Sequence, residues 1–398
     1  MLNKRRFIQG LFTLVSAIIC VLIGLALGFI ILVVFSWSSY SSKGVPYTVG
    51  QVFSTAWEQG FKRILLGGFY NLGWKIPTRS LLLRSEICRI APLLMCGLSV
   101  GFAFKTGLFN IGAAGQYTLG AYGALMCALI LKLPWWACLL ASVLFGAVWG
   151  AIPGFFKAYF NINEVITSIM FNWIGLYGVN TLMYGNGKSV MYNANESKVW
   201  KLVNKNASAI IPDMKGDGST LFNKVFTNPS TIAVFIAIAV AIVLYVVLNK
   251  TVFGYELKAC GYSKTAAKYA GINEKRNIIL AMAIAGALAG LGAGLFYLTG
   301  TEQWNPQENT ALPAMGFDGI SVALLASSNP IGTIFSAIFK AHIATGGPKM
   351  EKTLFPSEIA DVISGTIIYL CAFMLLFKNK LAARVFRRSR KPEGEIKK

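Results

Sequence analysis

The stretch KTVFGYELKACGYSKTAAKYAGINEKRN, Lys250–Asn277, is a polar interruption between two long apolar runs, Thr231–Leu248 and Ile278–Thr299. Each run is long enough to cross the hydrocarbon core of a bilayer, which takes about 20 residues of helix. The stretch carries six Lys or Arg side chains and only two Glu side chains. A short loop with this excess of positive charge stays in the cytoplasm when it joins two membrane spans. The pattern therefore predicts a membrane protein and places this loop inside the cell.

A short helix is predicted inside this loop. Ser263 can cap its N-terminus, Lys264–Ala270 is rich in Ala and Lys, and Gly271 can end it in a left-handed conformation. Lys264 and Lys268 are four residues apart, so they share one face of the helix. A small basic helix held outside the membrane is suited to docking into a groove of another protein. An ordinary solvated loop is the alternative interpretation.

The composition supports an all-α polytopic membrane protein. The chain has 398 residues, of which 55% are hydrophobic and only 13% are charged. That is too apolar for a soluble protein of this size. The net charge of +21 therefore belongs to loops and ends, where it sets topology and attracts anionic membrane lipids, and no nucleic-acid partner is expected. The seven Cys form no CxxC pair and there is one His, so neither a disulfide framework nor a metal site is predicted.

The apolar pattern predicts about ten transmembrane segments with both termini cytoplasmic. The predicted segments are Leu11–Phe35, Ile87–Phe104, Ile111–Leu131, Trp135–Phe156, Val165–Met183, Thr231–Leu248, Ile278–Thr299, Leu312–Ser327, Ile331–Thr345 and Ile359–Phe377. The first segment follows Lys4-Arg5-Arg6, and a cleaved signal peptide is the rival interpretation. The run is long for one, and no clear small-residue cleavage site follows it. We therefore expect a retained span.

The same pattern gives a domain organisation. Residues 1–86 hold the first span and an external loop, in which Tyr47–Trp74 has the mixed aromatic and basic character of an interfacial segment. Residues 87–378 form a transmembrane bundle with an external loop at 184–229 and the cytoplasmic loop at 250–277. Residues 379–398 form a basic cytoplasmic tail.

Two features inside the bundle are informative. Ser328-Asn329-Pro330 separates two segments that are each short for a full span, because Pro330 lacks the amide donor that a continuous helix needs. Short broken helices at membrane depth line cavities or pack between other helices. Glycines also recur every fourth residue at 146, 150 and 154 and at 286, 290 and 294, which predicts close helix packing.

Several polar and aromatic side chains fall at predicted membrane depth. Ionisable groups there are costly and usually face a cavity, and Asp318 is the main example, whereas Glu164 is expected at the interface. The aromatic side chains could stack on a flat ring, or they could simply pack in the core or face lipid. The substrate-path candidates are Asn110, Gln116, Asn172, Phe317 and Asp318. No nucleophile–base pair, cofactor motif or ATPase motif is present, so the chain is not expected to be an enzyme.

Four stretches, taken in order, carry a resemblance to a known family. They are GLFNIGAAGQYTLGAYGA (Gly107–Ala124), NEVITSIMFNWIG (Asn163–Gly175), GYELKACGYSKTAAKYAGI (Gly254–Ile272) and GFDGISVALLASSNPIGTIFSAIF (Gly316–Phe339). Together they resemble the permease subunits of bacterial ABC importers in the branched-chain amino acid/simple-sugar permease superfamily. Among its branches, the chain is most similar to the nucleoside type.

The resemblance implies a location and partners. The chain would be a multi-pass subunit in the bacterial plasma membrane. It would pair with a second related permease, an ATPase subunit with two nucleotide-binding domains and a substrate-binding lipoprotein. The short helix of the cytoplasmic loop would be the coupling helix that docks on the ATPase. The residues expected there are Gly261, Ser263, Lys264, Ala266, Ala267, Lys268, Ala270 and Gly271.

The resemblance also marks one departure and leaves the substrate open. Ala114 stands where the family motif usually has Glu. A nucleoside is expected, with a simple sugar or a branched-chain amino acid as alternatives. An amino acid calls for paired charges, and no buried Arg/Lys–carboxylate pair is apparent in the sequence. An ion-coupled secondary transporter would also explain the broken helices and Asp318, but not the basic Ala-rich loop.

Overall fold

The computed structural model describes residues 2–42, 46–67, 76–212, 229–352, 354–356 and 358–372, and within these ranges it is almost entirely helical. The α-helices are α1 Leu2–Ser42, α2 Val49–Thr55, α3 Lys62–Leu66, α4 Ile76–Lys105, α5 Ala113–Leu129, α6 Trp135–Phe160, α7 Glu164–Tyr184, α8 Leu202–Lys205, α9 Pro229–Lys250, α10 Val252–Tyr262, α11 Lys264–Tyr269, α12 Glu274–Tyr297, α13 Ala314–Leu325, α14 Pro330–Gly346 and α15 Ile359–Ala372. A π-helical turn, Ala56–Phe61, joins α2 to α3. The predicted all-α class is confirmed.

Six described helices are long and apolar enough to cross a membrane. They are Ile18–Ser42, Glu86–Lys105, Trp135–Phe160, Glu164–Gly187, Pro229–Lys250 and Glu274–Tyr297. The other predicted spans correspond to the shorter helices α5, α13 and α14 and to α15, which is described as far as Ala372. The count of ten spans and the cytoplasmic position of both termini therefore stay predictions. The basic tail and most of the polar part of the external loop, residues 213–228, lie outside the described residues.

The chain divides into two compact units. One comprises residues 1–66 and 346–398, so it joins the first helix to the last. Within it, α1 and α15 approach closely, because a Cβ added at Gly28 would lie 2.8 Å from Ile363 Cγ2. Phe29 of α1 also packs its ring edge-on to Phe61, with ring centroids 5.2 Å apart. The other unit comprises residues 67–345.

Helix α12 lies at the centre of this second unit, packed against α6. The two predicted glycine stripes face each other: a Cβ at Gly146 would lie 2.4 Å from the carbonyl oxygen of Gly286, and one at Gly150 would lie 2.9 Å from its Cα. The Ser142 hydroxyl donates to the Gly290 carbonyl across the same contact. Close backbone approach replaces the hydrophobic driving force that helices lack in lipid. The predicted close packing is confirmed.

The break before Pro330 is also confirmed. Helix α13 ends at Leu325, and Ser327 and Ser328 then adopt left-handed conformations with φ of 51° and 55°. The Asn329 side chain accepts a hydrogen bond of 3.1 Å from the Ile331 amide, so it caps the first turn of α14. Proline fits that first turn because its missing donor would be unpaired there anyway.

Two elements and the start of a third were not predicted. Helix α4 contains the predicted span Ile87–Phe104 but begins at Ile76, inside the stretch expected to be an external loop. The second predicted external loop contains a short antiparallel hairpin of β1 (Tyr192–Asn193) and β2 (Lys198–Val199). The predicted cytoplasmic loop holds α10 in addition to the expected short helix, because the Thr251 hydroxyl accepts a 3.1 Å bond from the Gly254 amide and starts a helix there.

Candidate functional site

The short helix of the predicted cytoplasmic loop forms as its sequence predicts. The Ser263 hydroxyl accepts a hydrogen bond of 3.3 Å from the Ala266 amide and caps α11, which ends before Gly271 at φ +78°. Asn273 then caps α12 by accepting a 3.1 Å bond from the Arg276 amide. Each polar side chain thus satisfies an amide that its helix leaves unpaired, and the caps fix the two short turns of the loop.

The surface of this loop is open and partly apolar. Tyr262 and Tyr269 are 91% and 90% exposed, whereas Ala267 is only 3% exposed. Tyr262 and Ala267 belong to a groove of about 470 Å³. It is lined by Tyr255, Lys258, Ala259, Tyr262, Ser263, Ala266, Ala267, Ala270 and Ile272. Of the residues predicted for docking, Lys264 and Lys268 stand exposed on α11 beside this groove.

The other side of the loop rests on the turn that follows α4. A Cβ at Gly107 would lie 2.3 Å from the Gly261 Cα, and one at Gly261 would lie 2.5 Å from the Thr106 carbonyl carbon. Gly107 has φ +72°, which side chains rarely tolerate. Gly261, predicted as a docking residue, therefore makes a backbone contact with the bundle.

Two of the predicted path residues form one buried amide pair just beyond this turn. Asn110 Nδ2 donates to Gln116 Oε1 at 2.8 Å, and Gln116 Nε2 donates back to Asn110 Oδ1 at 3.0 Å. Asn110 also donates to the Ser99 hydroxyl at 3.0 Å. Both amides are almost fully buried. The reciprocal bonds hold the segment before α5 against that helix, and the bond to Ser99 ties it to α4.

Asn172 holds the same segment from α7. Its Oδ1 accepts a 2.8 Å bond from the Gly115 amide, and its Nδ2 donates at 3.0 Å to the Ile111 carbonyl. The side chain is 1% exposed. The three amides that the sequence singles out are therefore brought together. In this conformation they bind the protein's own backbone and one another, so their role in the substrate path stays a prediction.

Asp318 has a partner that the sequence analysis missed. Lys340 Nζ of α14 lies 2.9 Å from Asp318 Oδ1 of α13, and the two side chains are 8% and 28% exposed. The expectation that the bundle has no paired Lys and carboxylate is therefore wrong. The two residues sit on separate helices, so their spacing in the chain does not reveal the pair. A lysine inside a predicted apolar span was the signal that could have found it.

Phe317 and Gly316 precede Asp318 on α13, and Ala114 of α5 contacts Gly316. Phe317, the neighbour of Asp318 on α13, keeps 41% of its surface exposed. Ala114 is fully buried, and a Cβ added at Gly316 would lie 2.4 Å from its Cα. The motif position that usually carries Glu is thus closed by direct contact between α5 and α13.

Two further ionic contacts lie elsewhere in this unit. Lys157 Nζ and Glu164 Oε2 are 2.9 Å apart, with side chains 19% and 13% exposed. The single histidine, His342, places its Nδ1 3.0 Å from Glu86 Oε1. Among the residues that the structure describes, no group of three or more His, Cys, Asp or Glu side chains could hold a metal ion.

The predicted external loop is tied down by side-chain hydrogen bonds. Trp304, 1% exposed, donates from Nε1 to Asn180 Oδ1 at 2.8 Å. Glu196 accepts from Lys201 at 3.0 Å and from Gln303 at 3.3 Å. The hydrogen bond from Lys201, followed by that from Gln303, lowers the pKa of Glu196 below its ordinary value.

Comparisons with known proteins agree on the family. The family model described as "Branched-chain amino acid transport system / permease component" matches residues 84–372. The nucleoside ABC transporter permease NupB of Lactococcus lactis is 35% identical over 73% of this chain and 79% of its own length. The guanosine ABC transporter permease NupP of Bacillus subtilis is 30% identical over 92% of this chain and 94% of its own length. The glucose ABC transporter permease TsgB13 of Haloferax volcanii is 28% identical over 77% of this chain and 80% of its own length. No solved structure matches.

Proposed function

This chain belongs to the branched-chain amino acid transport permease family, and from that premise we propose that it is the membrane subunit through which an ABC importer takes up nucleosides. It is a multi-pass protein of the bacterial plasma membrane and not itself an enzyme, because ABC permeases leave ATP hydrolysis to a separate subunit. The choice of a nucleoside as substrate rests on the similarity to the nucleoside permease and the guanosine permease. In each comparison the similarity covers most of this chain and most of the relative.

A simple sugar is the second candidate, since the glucose permease of Haloferax volcanii is also similar. The sequence argument against an amino acid substrate rested on the absence of a Lys–carboxylate pair, and the Asp318–Lys340 contact removes it. The preference for a nucleoside therefore rests on the relatives.

The proposed partners fit the exposed surfaces of the chain. An ATPase subunit with two nucleotide-binding domains would dock on the groove lined by Tyr262 and Ala267. A second related permease would cover part of the apolar surface that α7 leaves exposed, where Trp173 and Tyr177 stack with ring centroids 5.8 Å apart. A substrate-binding lipoprotein would deliver cargo from outside, and membrane lipids would surround the assembly.

The backbone contact between Gly261 and Gly107 supports a route for the coupling. ATP binding would close the ATPase dimer and shift the cytoplasmic loop. Because Gly261 abuts the turn at Thr106–Gly107, the shift would reach the segment held by Asn110 and Gln116. That segment leads directly into α5, so the amide cluster would move with it. The substrate path would then open alternately to outside and inside.

The test is uptake of labelled nucleosides by cells with and without this chain. ATP is depleted in one sample and the proton gradient is collapsed in another. We expect uptake to be lost on deletion and on ATP depletion, and retained without the gradient. Dependence on the gradient alone would indicate a secondary transporter. If deletion leaves nucleoside uptake unchanged while glucose uptake falls, the cargo is a sugar.

A further inference from the structure

The Asp318–Lys340 ion pair has a cost that helix packing alone does not explain. Lys340 is 8% exposed in its side chain and lies on α14, a short helix of the bundle. A charged side chain at membrane depth is expensive, and such groups mark substrate paths. A well-packed apolar pair would often be as stable as a buried ion pair or more so. The presence of the ion pair is therefore better explained by a ligand that it binds than by a contribution to the stability of the fold.

The carboxylate of Asp318 has acceptor capacity to spare. Its Oδ1 faces Lys340 Nζ at 2.9 Å. Among the described residues this lysine is the only side chain that pairs with it. A carboxylate offers about four lone-pair sites, so both oxygens can still accept hydrogen bonds. The side chain is 28% exposed and follows Phe317, which is 41% exposed. A carboxylate acceptor and an ammonium donor thus lie together, with an exposed aromatic ring on the adjacent residue.

Resting on the proposed nucleoside import, we infer that Asp318 and Lys340 read the base edge and select guanine. The edge of guanine presents, in order, the N2 amino donors, the N1–H donor and the O6 acceptor. Asp318 Oδ2 and Oδ1 accept from N2 and N1, and Lys340 donates to O6. Phe317 packs against the flat face of the ring. Three hydrogen bonds to charged groups hold the base.

Adenine fails the same arrangement at both positions. Its N6 amino group, a donor, would face the Lys340 ammonium, and its N1, an acceptor, would face the Asp318 carboxylate. Turning the base over would bring N6 to the Asp318 carboxylate, but the N1 acceptor would still face Oδ1 and C2–H would give Lys340 no acceptor. Hypoxanthine keeps N1–H and O6 and lacks the N2 amino group, so inosine loses one bond. The expected order of preference is guanosine, then inosine, then adenosine.

The first experiment measures selectivity in proteoliposomes that hold the complete importer. Guanosine and adenosine compete, and the ratio of their uptake rates is recorded for the unaltered chain and for Asp318→Asn. We expect the ratio to fall about tenfold in the variant, because the neutral amide of Asn replaces a charged carboxylate and offers one acceptor oxygen in place of two. The substrate-binding lipoprotein is the same in both samples, so a change in the ratio belongs to the permease.

The matched control is Glu164→Gln, which removes an ion pair of the same 2.9 Å length in the same unit. It should leave the ratio unchanged. An unchanged ratio in Asp318→Asn, or an equal fall in both variants, overturns the inference while nucleoside import stands. If the unaltered importer takes up no nucleoside at all, it is the proposed function that fails.

A second measurement covers the case in which Asp318→Asn inserts poorly or is inactive. Ala314 lies one turn before Asp318 on the same exposed face of α13. The described native cysteines are buried. Ala314→Cys is labelled with a maleimide in the assembled importer, with Cys371 replaced by Ser. Guanosine should slow labelling severalfold more than adenosine does. Equal protection by both nucleosides, or none, overturns the inference.

Discussion

At the scale of single residues, side-chain amides do most of the positioning in this molecule. Asn110, Gln116 and Asn172 are recognisable from the sequence as polar groups at membrane depth, and the structure brings them into one cluster. Their partners were not predictable, because two of them are backbone groups, the Gly115 amide in the first turn of α5 and the Ile111 carbonyl in the irregular segment before it. Backbone geometry in an irregular segment follows from tertiary packing, which periodicity and propensity do not encode.

Replacing Asn172 by Ala should destabilise the bundle. The change leaves the buried Gly115 amide and Ile111 carbonyl without their partner, and unpaired buried groups cost about 2–4 kcal/mol in total. Thermal unfolding of the purified importer should show a clear decrease in Tm. The control is Asn249→Ala, which removes an exposed 3.0 Å bond to the Tyr245 carbonyl and should leave Tm nearly unchanged. Equal Tm values for both variants would contradict the structural role.

At the scale of elements, the sequence predicts the long helices well and the loops poorly. The spacing of glycines anticipates the contact between α6 and α12, because both stripes follow the helical repeat. Ser328-Asn329-Pro330 likewise anticipates the break between α13 and α14. Helix α10 was missed because a single cap at Thr251 starts it within a stretch that reads as polar loop.

Gly290→Ala tests the contact between α6 and α12. The added Cβ would lie 2.4 Å from the Ser142 carbonyl oxygen, so the two backbones must separate. Overpacking of this kind costs about 1–3 kcal/mol, and less of the importer should assemble in the membrane. Gly178→Ala on α7 adds the same methyl group where nothing lies within 4 Å, and its stability should change little. Tm and membrane abundance of the two variants decide the outcome.

The external loop should loosen in acid. Because the hydrogen bond from Lys201 lowers the pKa of Glu196, this group stabilises the folded loop at neutral pH. The contribution is lost as the pH falls below about 4, through the lowered pKa, when the carboxylate is protonated. Protection of the Lys198–Trp200 amides against hydrogen exchange, corrected for the intrinsic effect of pH on exchange, should therefore decrease as the carboxylate is protonated. In Glu196→Gln this acid-dependent step should disappear, and a step that persists would assign the effect to another group.

At the scale of the whole molecule, the sequence predicts the membrane class and the family, but not which helices cross. Six described helices are long and apolar enough to span, and four shorter ones stand where the remaining spans were expected. Helices such as α13, with 12 residues, can cross only in combination with a neighbour. Hydropathy measures the apolar character of one continuous segment. It therefore does not determine how two short helices together cross the bilayer.

Cysteine labelling tests the predicted topology. Val190→Cys lies in the predicted external loop and Tyr262→Cys in the predicted cytoplasmic loop, at positions that are 72% and 91% exposed. Both are made in a chain with Cys371 replaced by Ser. In intact protoplasts, a membrane-impermeant maleimide should label Cys at 190 and should not label Cys at 262. Permeabilisation should expose the second site. Labelling at position 262 but not at position 190 in intact protoplasts would show that the predicted topology is inverted.

The contact between Gly107 and Gly261 has a mechanical consequence. At most helix contacts the side chains lie between the two backbones and can change rotamer. A small displacement of one helix is therefore partly taken up by the side chains. Here backbone meets backbone with no room for even one methyl group. A joint of this kind is stiff in compression, so a displacement of the cytoplasmic loop would arrive at the other side almost undiminished. Such stiffness suits a contact that transmits a displacement from one part of the protein to another.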